Sequence, residues 1–179
     1  LHIPVPATQA EAGETLGSWV VRDDLTKIPQ IIEVAVKEKT AQTTIYTTGD
    51  VVGQDGQVFA LRLGSIVATA KSGNLWKFPL QAGASGEARV EVTGSTSGQG
   101  NVEWKVVSSA NDRQVVEVRA FYGLNNDLQR RQIIVKWLGS YAGGLPLPVK
   151  FSYDARSLGG FGAASTLRET TSAEFTAKK

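Results

Sequence analysis

A two-residue alternation of apolar and charged side chains, repeated along the chain, restricts this protein to β-sheet structure. In residues 87–92 an alanine and two valines alternate with glutamate and arginine, and residues 102–106 and 116–120 repeat the pattern. Successive side chains of a strand point to opposite faces of its sheet, so this period indicates strands with one buried and one solvated face. Residues 133–138 are apolar on both faces, which predicts a central strand or a cover from a neighbouring chain.

Strand and turn signals follow one another through most of the sequence. Runs rich in β-branched and aromatic residues occupy residues 18–22, 30–36, 43–48, 57–63, 65–70, 75–80, 88–93, 101–107, 114–122, 132–138 and 149–153. Glycine, asparagine, aspartate and serine separate these runs, most densely at residues 53–56, 71–74, 83–86 and 94–100. The spacing predicts one all-β domain, either a sandwich or a barrel.

The composition leaves few groups for catalysis. The 179 residues contain no cysteine and no methionine, and the one histidine is His2. We therefore expect no disulfide, no cofactor and no metal site. A formal net charge of +2 is too small to favour nucleic-acid binding by bulk electrostatics.

The two ends of the sequence lack the alternation. Residues 1–17 carry prolines and glycines with little periodicity, and residues 154–179 contain a glycine-rich stretch and few apolar residues. We interpret residues 1–17 as an extended N-terminal arm, residues 18–153 as the folded body and residues 154–179 as a flexible C-terminal arm.

Two pairs of residues offer carboxylates for glycoside hydrolysis, which needs two carboxyl groups across a cleft. They are Asp23-Asp24 and Asn126-Asp127. Helix caps and turns use the same residue types constantly, so a glycosidase is a minor alternative.

Aromatic residues suggest a second alternative, a carbohydrate-binding or adhesive β-sandwich. Trp76 and Tyr141 are suited to stacking on sugars, and Trp76, which follows a turn and precedes Lys77, is predicted to be exposed. Trp104 and Trp137 lie within alternating strands, and we expect both to pack in the core.

Two small basic clusters are candidates for contact with phosphate groups. Arg130 and Arg131 lie in a predicted loop, and Lys178 and Lys179 end the sequence. Each cation that contacts a phosphate adds a salt-dependent increment to binding, so these four residues are the candidates for a weak, non-specific RNA contact.

Two segments of the sequence, within residues 3–23 and residues 123–137, resemble the capsid proteins of picorna-like plant viruses, the nepovirus, comovirus and cheravirus group. The first resembles the start of a capsid domain and contains Ile3-Pro4, Leu16-Gly17 and Val21-Arg22-Asp23. The second resembles the connection between the last two strands of that domain and runs through Gly123-Leu124-Asn125-Asn126-Asp127-Leu128 to Ile133, Val135 and Trp137. The middle of the chain is similar to the family only in strand spacing.

The resemblance implies an antiparallel eight-stranded jelly-roll β-sandwich with extended N- and C-terminal arms. It implies a structural subunit, not an enzyme, of an icosahedral, pseudo-T=3 capsid that encloses single-stranded RNA. Its partners would be other capsid subunits and, weakly, viral RNA, with no membrane partner. Its location would be the virion and, during assembly, the host cytoplasm. Release from a polyprotein, as in that family, would account for a sequence that begins at Leu1.

Overall fold

A computed structural model of the chain describes residues 2–3, 10–24, 26–110, 112–142, 147–158 and 165–178, with residues 2–3 and 165–169 described by their backbone alone. All regular secondary structure in these ranges is β-strand. The strands are β1 (His2–Ile3), β2 (Thr15–Asp23), β3 (Pro29–Lys39), β4 (Thr43–Tyr46), β5 (Val51–Gly53), β6 (Gln57–Leu63), β7 (Ile66–Ala70), β8 (Trp76–Lys77), β9 (Leu80–Gln81), β10 (Ser85–Gly94), β11 (Gly98–Ala110), β12 (Arg113–Leu124), β13 (Gln132–Ala142), β14 (Lys150–Leu158) and β15 (Ser165–Ala177).

Twelve of these strands form one closed antiparallel barrel. The order around the barrel follows the chain, from β2 through β7 and then from β10 through β15. The last strand, β15, pairs with the first, β2, and this pairing closes the ring. The two-residue strands β1, β8 and β9 stand outside the ring. β8 pairs with β6, and β1 pairs with β9.

The closed barrel shows that the predicted eight-stranded jelly-roll sandwich is wrong. A jelly roll pairs strands that are distant in sequence, whereas here nearly every strand pairs with its neighbour along the chain through a short connection. Sandwiches and barrels both bury one face of each strand, so the alternation of apolar and polar residues is the same in both. The connection between β12 and β13, which resembled part of a jelly roll, is an ordinary hairpin turn.

Strands also extend into both segments that were predicted to be arms. β14 continues to Leu158, and β15 pairs with β14 on one side and with β2 on the other. The inward face of β15 carries Thr171 and Ala173, and such polar or small residues hide its alternation in the sequence. At the other end, β2 begins at Thr15, and the backbone just before it is hydrogen-bonded to Val36 of β3. Residues 1, 4–9, 159–164 and 179 of the predicted arms lie outside the described residues.

Side chains fill the lumen of the barrel in two clusters. The larger cluster lies between β6, β7 and β10 to β13, and includes Val118, Ile133 and Trp137. The smaller cluster lies between β2, β3, β4 and β15, and includes Trp19 and Val34. The lumen is therefore a packed core and not an open pore along its length.

The two ends of the barrel differ. We call the end with the turns at residues 26–28, 47–50, 64–65 and 125–131 the upper rim, and the opposite end the lower rim. At the lower rim, residues 75–80 turn inward and bury Leu75, Trp76, Phe78 and Leu80 in the larger cluster. The buried amide of Gln114 donates from Nε2 to the Leu80 carbonyl at 2.6 Å and holds this segment in place.

Candidate functional site

A cavity of about 420 Å³ lies beside the smaller cluster in the lumen, beneath the upper rim. Its wall consists of the inward faces of β2, β3, β14 and β15 together with the turns at residues 47–50 and 64–65. The cavity reaches the surface beside Ile28, which is 73% exposed. Its size lies within the range of about 300–1,000 Å³ that is common for small-molecule sites.

Aromatic side chains form the apolar floor of the cavity. Trp19 of β2 is buried, and its ring meets Phe151 of β14 edge-on with the ring centroids 4.8 Å apart. Tyr153, two residues further along β14, stacks with Phe151 at 6.2 Å. Val21 and Ile32, on the inward faces of β2 and β3, continue the apolar wall. This floor is suited to an aromatic ring or a hydrocarbon chain.

A polar cluster, formed by Thr48, Asp50 and Arg62, lies at one side of the cavity. The Thr48 hydroxyl donates to Asp50 Oδ2, and the backbone N–H of Arg62 donates to Asp50 Oδ1 at 2.9 Å. The Arg62 guanidinium donates from Nε to the Gly64 carbonyl at 2.8 Å and from Nη1 to the Thr48 carbonyl at 3.3 Å. These bonds fix Arg62 against two turns of the upper rim.

Burial shifts the pKa values of two groups, Asp50 of this cluster and Tyr141. It raises the pKa of the Asp50 carboxyl above its ordinary value of 3.8, against the opposing effects of the Thr48 hydrogen bond and the Arg62 charge. Burial also raises the pKa of the Tyr141 hydroxyl well above its ordinary value, and the nearby charge of Asp50 adds to that shift. Tyr141 is therefore a neutral phenol at neutral pH.

The raised pKa of Asp50 predicts a pH-dependent stability. A carboxyl whose pKa is higher in the folded state contributes its full stabilisation below the unfolded value of 3.8, and that contribution is lost as the pH rises through the folded value. As the pH falls from about 7 to about 4, we expect the free energy of unfolding of the wild type to rise relative to that of Asp50→Asn. Urea denaturation of both proteins across this range measures the difference, and a constant difference would contradict the raised pKa.

Thr171 of β15 brings a different polar group to the cavity. Its side chain lines the wall and is 4% exposed. Its Oγ1 has no hydrogen-bond partner in the described part of the chain. A buried hydroxyl without a partner costs free energy, so this position favours a bound group that hydrogen-bonds to it.

The structure separates the residues predicted to contact RNA. Arg130 and Arg131 lie in the β12–β13 turn at the upper rim, and Lys178 follows β15 at the lower rim. Asp127 accepts from Arg131 Nη2 at 3.0 Å and from Nε at 3.1 Å, and these hydrogen bonds lower the pKa of Asp127. Lys179 lies outside the described residues. The three described cations therefore occupy opposite ends of the barrel and not one basic surface.

The residues predicted to stack on carbohydrate are buried. Trp76 is 2% exposed and Tyr141 is 1% exposed, so the prediction that Trp76 is exposed is wrong. Trp76 packs with its ring centroid 5.7 Å from that of Trp104, because β8 turns into the lower rim. The prediction that Trp137 packs in the core is confirmed, since it is 1% exposed.

Of the predicted carboxylate pairs, only Asp23 lines the cavity. Its neighbour Asp24 is exposed, and Asp127 is occupied by Arg131 at another part of the upper rim. Asp50 is not among the predicted site residues, because it follows a threonine and a glycine and such a position is typical of a turn. Arg62 is not among them either, although a signal existed, since Arg62 is the one charged residue in the apolar run 57–63.

Comparisons with known proteins add no functional assignment. The chain matches no described protein family, no curated protein and no solved structure. Among the described residues, no group of three or more histidine, aspartate or glutamate side chains is placed to hold a metal ion. The same residues include no helix that is long and apolar enough to cross a membrane.

Proposed function

We propose that this protein binds a small, largely apolar molecule in the lumen of its barrel. The observation that carries the proposal is the cavity of about 420 Å³, which combines an aromatic floor with a few polar groups at one side. Sites for small molecules are typically concave and mostly apolar, with a small number of placed polar groups. A ligand there gains about 25 cal/mol per Å² of apolar surface removed from water.

Binding without chemical turnover agrees with the state of the polar groups. Both oxygens of Asp50 already accept hydrogen bonds from the protein, and Arg62 donates to two backbone carbonyls. A general base must reach the proton that it removes, and Asp50 is instead held within the wall. We therefore propose a binding protein and not an enzyme.

Filling the cavity should weaken binding strongly. We expect the wild type to bind the neutral fluorophore phenylnaphthylamine with enhanced fluorescence, and Val21→Trp to bind it at least about tenfold more weakly, because the indole occupies the ligand's space. Fluorescence titration measures both affinities, and far-UV circular dichroism checks the fold. Thr93→Trp, at an exposed position of β10, is the matched control. Equal binding by the two tryptophan variants would place the site outside the cavity.

A second candidate is the structural subunit of a viral capsid, the role that the sequence resemblance implied. The jelly roll behind that expectation is absent from the described fold, and the observation that still favours assembly is a pair of exposed apolar side chains on the outer surface. Phe121 of β12 lies opposite Ile134 of β13, and Leu138 lies further along β13. Phe121 and Leu138 are 38% and 41% exposed, and the charged pair of Arg119 and Lys136 lies between them on the same face. A contact with another subunit would remove their apolar surface from water. This role would place the protein in virions with other coat subunits and RNA.

The mass of the native particle tests the second candidate. A capsid subunit is expected to form large assemblies at high concentration, and Leu138→Lys should dissolve them because it places a charge in the contact. Leu128→Lys, in the exposed β12–β13 turn, is the control. Light scattering that detects only monomers of the wild type at every concentration would eliminate the capsid role.

A further inference from the structure

The polar wall of the cavity selects the chemistry of its ligand. We propose that the ligand carries an anionic head, such as a carboxylate, on an apolar body. The head would lie against Arg62 and Thr171, and the body would lie on Trp19, Phe151 and Tyr153. This inference rests on the proposed function, since it names the class of molecule that the cavity takes.

Arg62 presents a prepared donor edge to the cavity. Its Nε and Nη1 atoms donate to the carbonyls of Gly64 and Thr48, which fixes the plane of the guanidinium. Its Nη2 atom donates no hydrogen bond to any residue in the described ranges. A guanidinium held in one orientation loses little further entropy when it binds, and its planar N–H groups match the geometry of a carboxylate.

Thr171 supplies a second donor that is independent of Arg62. It belongs to β15, and Arg62 belongs to β6, so the two residues reach the same cavity from different walls. The buried Thr171 Oγ1 has no hydrogen-bond partner within the described chain, and its hydroxyl is free to donate to an anion. Two unused donors in one mostly apolar cavity indicate a ligand that brings acceptors.

The acidic residues of the wall do not indicate a cationic ligand. The charged residues that line the cavity are Asp23, Asp50 and Arg62. Both oxygens of Asp50 are occupied by Thr48 and by the backbone N–H of Arg62. Asp23 belongs to the end of β2, where its Oδ1 accepts from the backbone N–H of Thr26 at 3.3 Å and stabilises the turn. Arg62 is the cation among these three residues, and its Nη2 atom is left to donate to a ligand.

Two fluorophores with one aromatic skeleton test this inference. Anilinonaphthalene sulfonate carries an anionic group, and phenylnaphthylamine is the same skeleton without it. We expect the wild type to bind the sulfonate about tenfold or more tightly than the neutral probe, because a hydrogen-bonded charge is added. Loss of both probes in Val21→Trp shows that the titration reports the cavity and not another apolar surface.

Two variants assign the preference to its donors. Arg62→Gln should remove the preference for the sulfonate and leave the affinity for the neutral probe nearly unchanged, a result that a merely structural role of Arg62 would not produce. Thr171→Val should reduce the preference severalfold. It tests the inference even if Arg62→Gln fails to fold, because the buried hydroxyl that it removes has no hydrogen-bond partner in the described chain, so its loss breaks no hydrogen bond of the described fold.

The outcomes separate the inference from the proposed function. If the wild type binds neither probe, the binding function itself fails. If it binds both probes equally, the binding function stands and the anionic head is overturned. The anionic head is also overturned if a folded Arg62→Gln weakens the binding of both probes alike. If Arg62→Gln does not fold, a full preference for the sulfonate in Thr171→Val overturns it.

Discussion

Replacement of Gly100 by alanine is expected to lower the free energy of unfolding by about 3 kcal/mol, at the upper end of the usual cost of overpacking. Gly100 lies in β11 opposite Tyr122 of β12. A Cβ atom there would lie 1.8 Å from the backbone carbonyl oxygen of Phe121. Because the obstacle is the main chain of the paired strand, rotation of a side chain cannot relieve it, and the two strands must separate locally.

Gly123 provides the matched control for that substitution. It lies in β12, the strand that pairs with β11, and it follows Tyr122, the residue opposite Gly100. A Cβ atom at Gly123 would meet no atom of the described structure within 4 Å. We expect Gly123→Ala to change the free energy of unfolding by less than about 0.5 kcal/mol. Urea denaturation of the two variants measures the contrast. Equal effects of the two substitutions would show that the backbones of β11 and β12 are not so close at Gly100.

Truncation of Trp137 to alanine should cost about 3–5 kcal/mol, the range for removing a large aromatic side chain from a core. Trp137 of β13 is 1% exposed, and its ring stacks on Phe151 at 6.3 Å and meets Tyr141 at 6.5 Å. Gly139 makes room for it, since a Cβ atom there would lie 2.1 Å from the indole. Thermal and urea denaturation measure the loss.

Two further substitutions are controls for Trp137→Ala. Trp137→Phe should cost much less than Trp137→Ala, because it keeps a ring in the core and removes an indole N–H that has no hydrogen-bond partner in the described residues. Phe121→Ala, on the outer surface of β12, is expected to stay within about 1 kcal/mol of the wild type. If Trp137→Ala cost no more than Phe121→Ala, the larger cluster would not be the core.

Much of the strand pattern follows from the residues alone. The alternation in residues 87–92, 102–106 and 116–120 predicts which side chains face inward, and the structure confirms it, since Val90, Val102, Val116 and Val118 are at most 1% exposed. The strand at residues 133–138, predicted to be either central or covered by a neighbouring chain, is β13, and β12 and β14 flank it as every strand of the closed ring is flanked. These features depend on residues that lie two positions apart in the chain, so the sequence alone displays them.

The closure of the sheet could not be read in the same way. Residues 165–177 show little alternation, yet β15 completes the ring, because its partners β14 and β2 supply the hydrogen bonds and much of the apolar surface that it packs against. Trp76 has the local surroundings of an exposed residue, yet β8 pairs with β6 and turns it inward. In both places, contacts with distant segments outweigh the local pattern.

The sequence by itself determined that this protein is an all-β domain, which face of its clearest strands is buried, and where most of its turns lie, because a two-residue period and turn-forming residues act locally. Only the tertiary structure decided that the sheet closes into a ring of twelve strands, and that Asp50, Arg62 and Thr171 border one cavity. The physical reason is that strand twist and register accumulate along the whole sheet, so its curvature, and the position of residues from β6 and β15 around a shared lumen, arise only when the ring is complete.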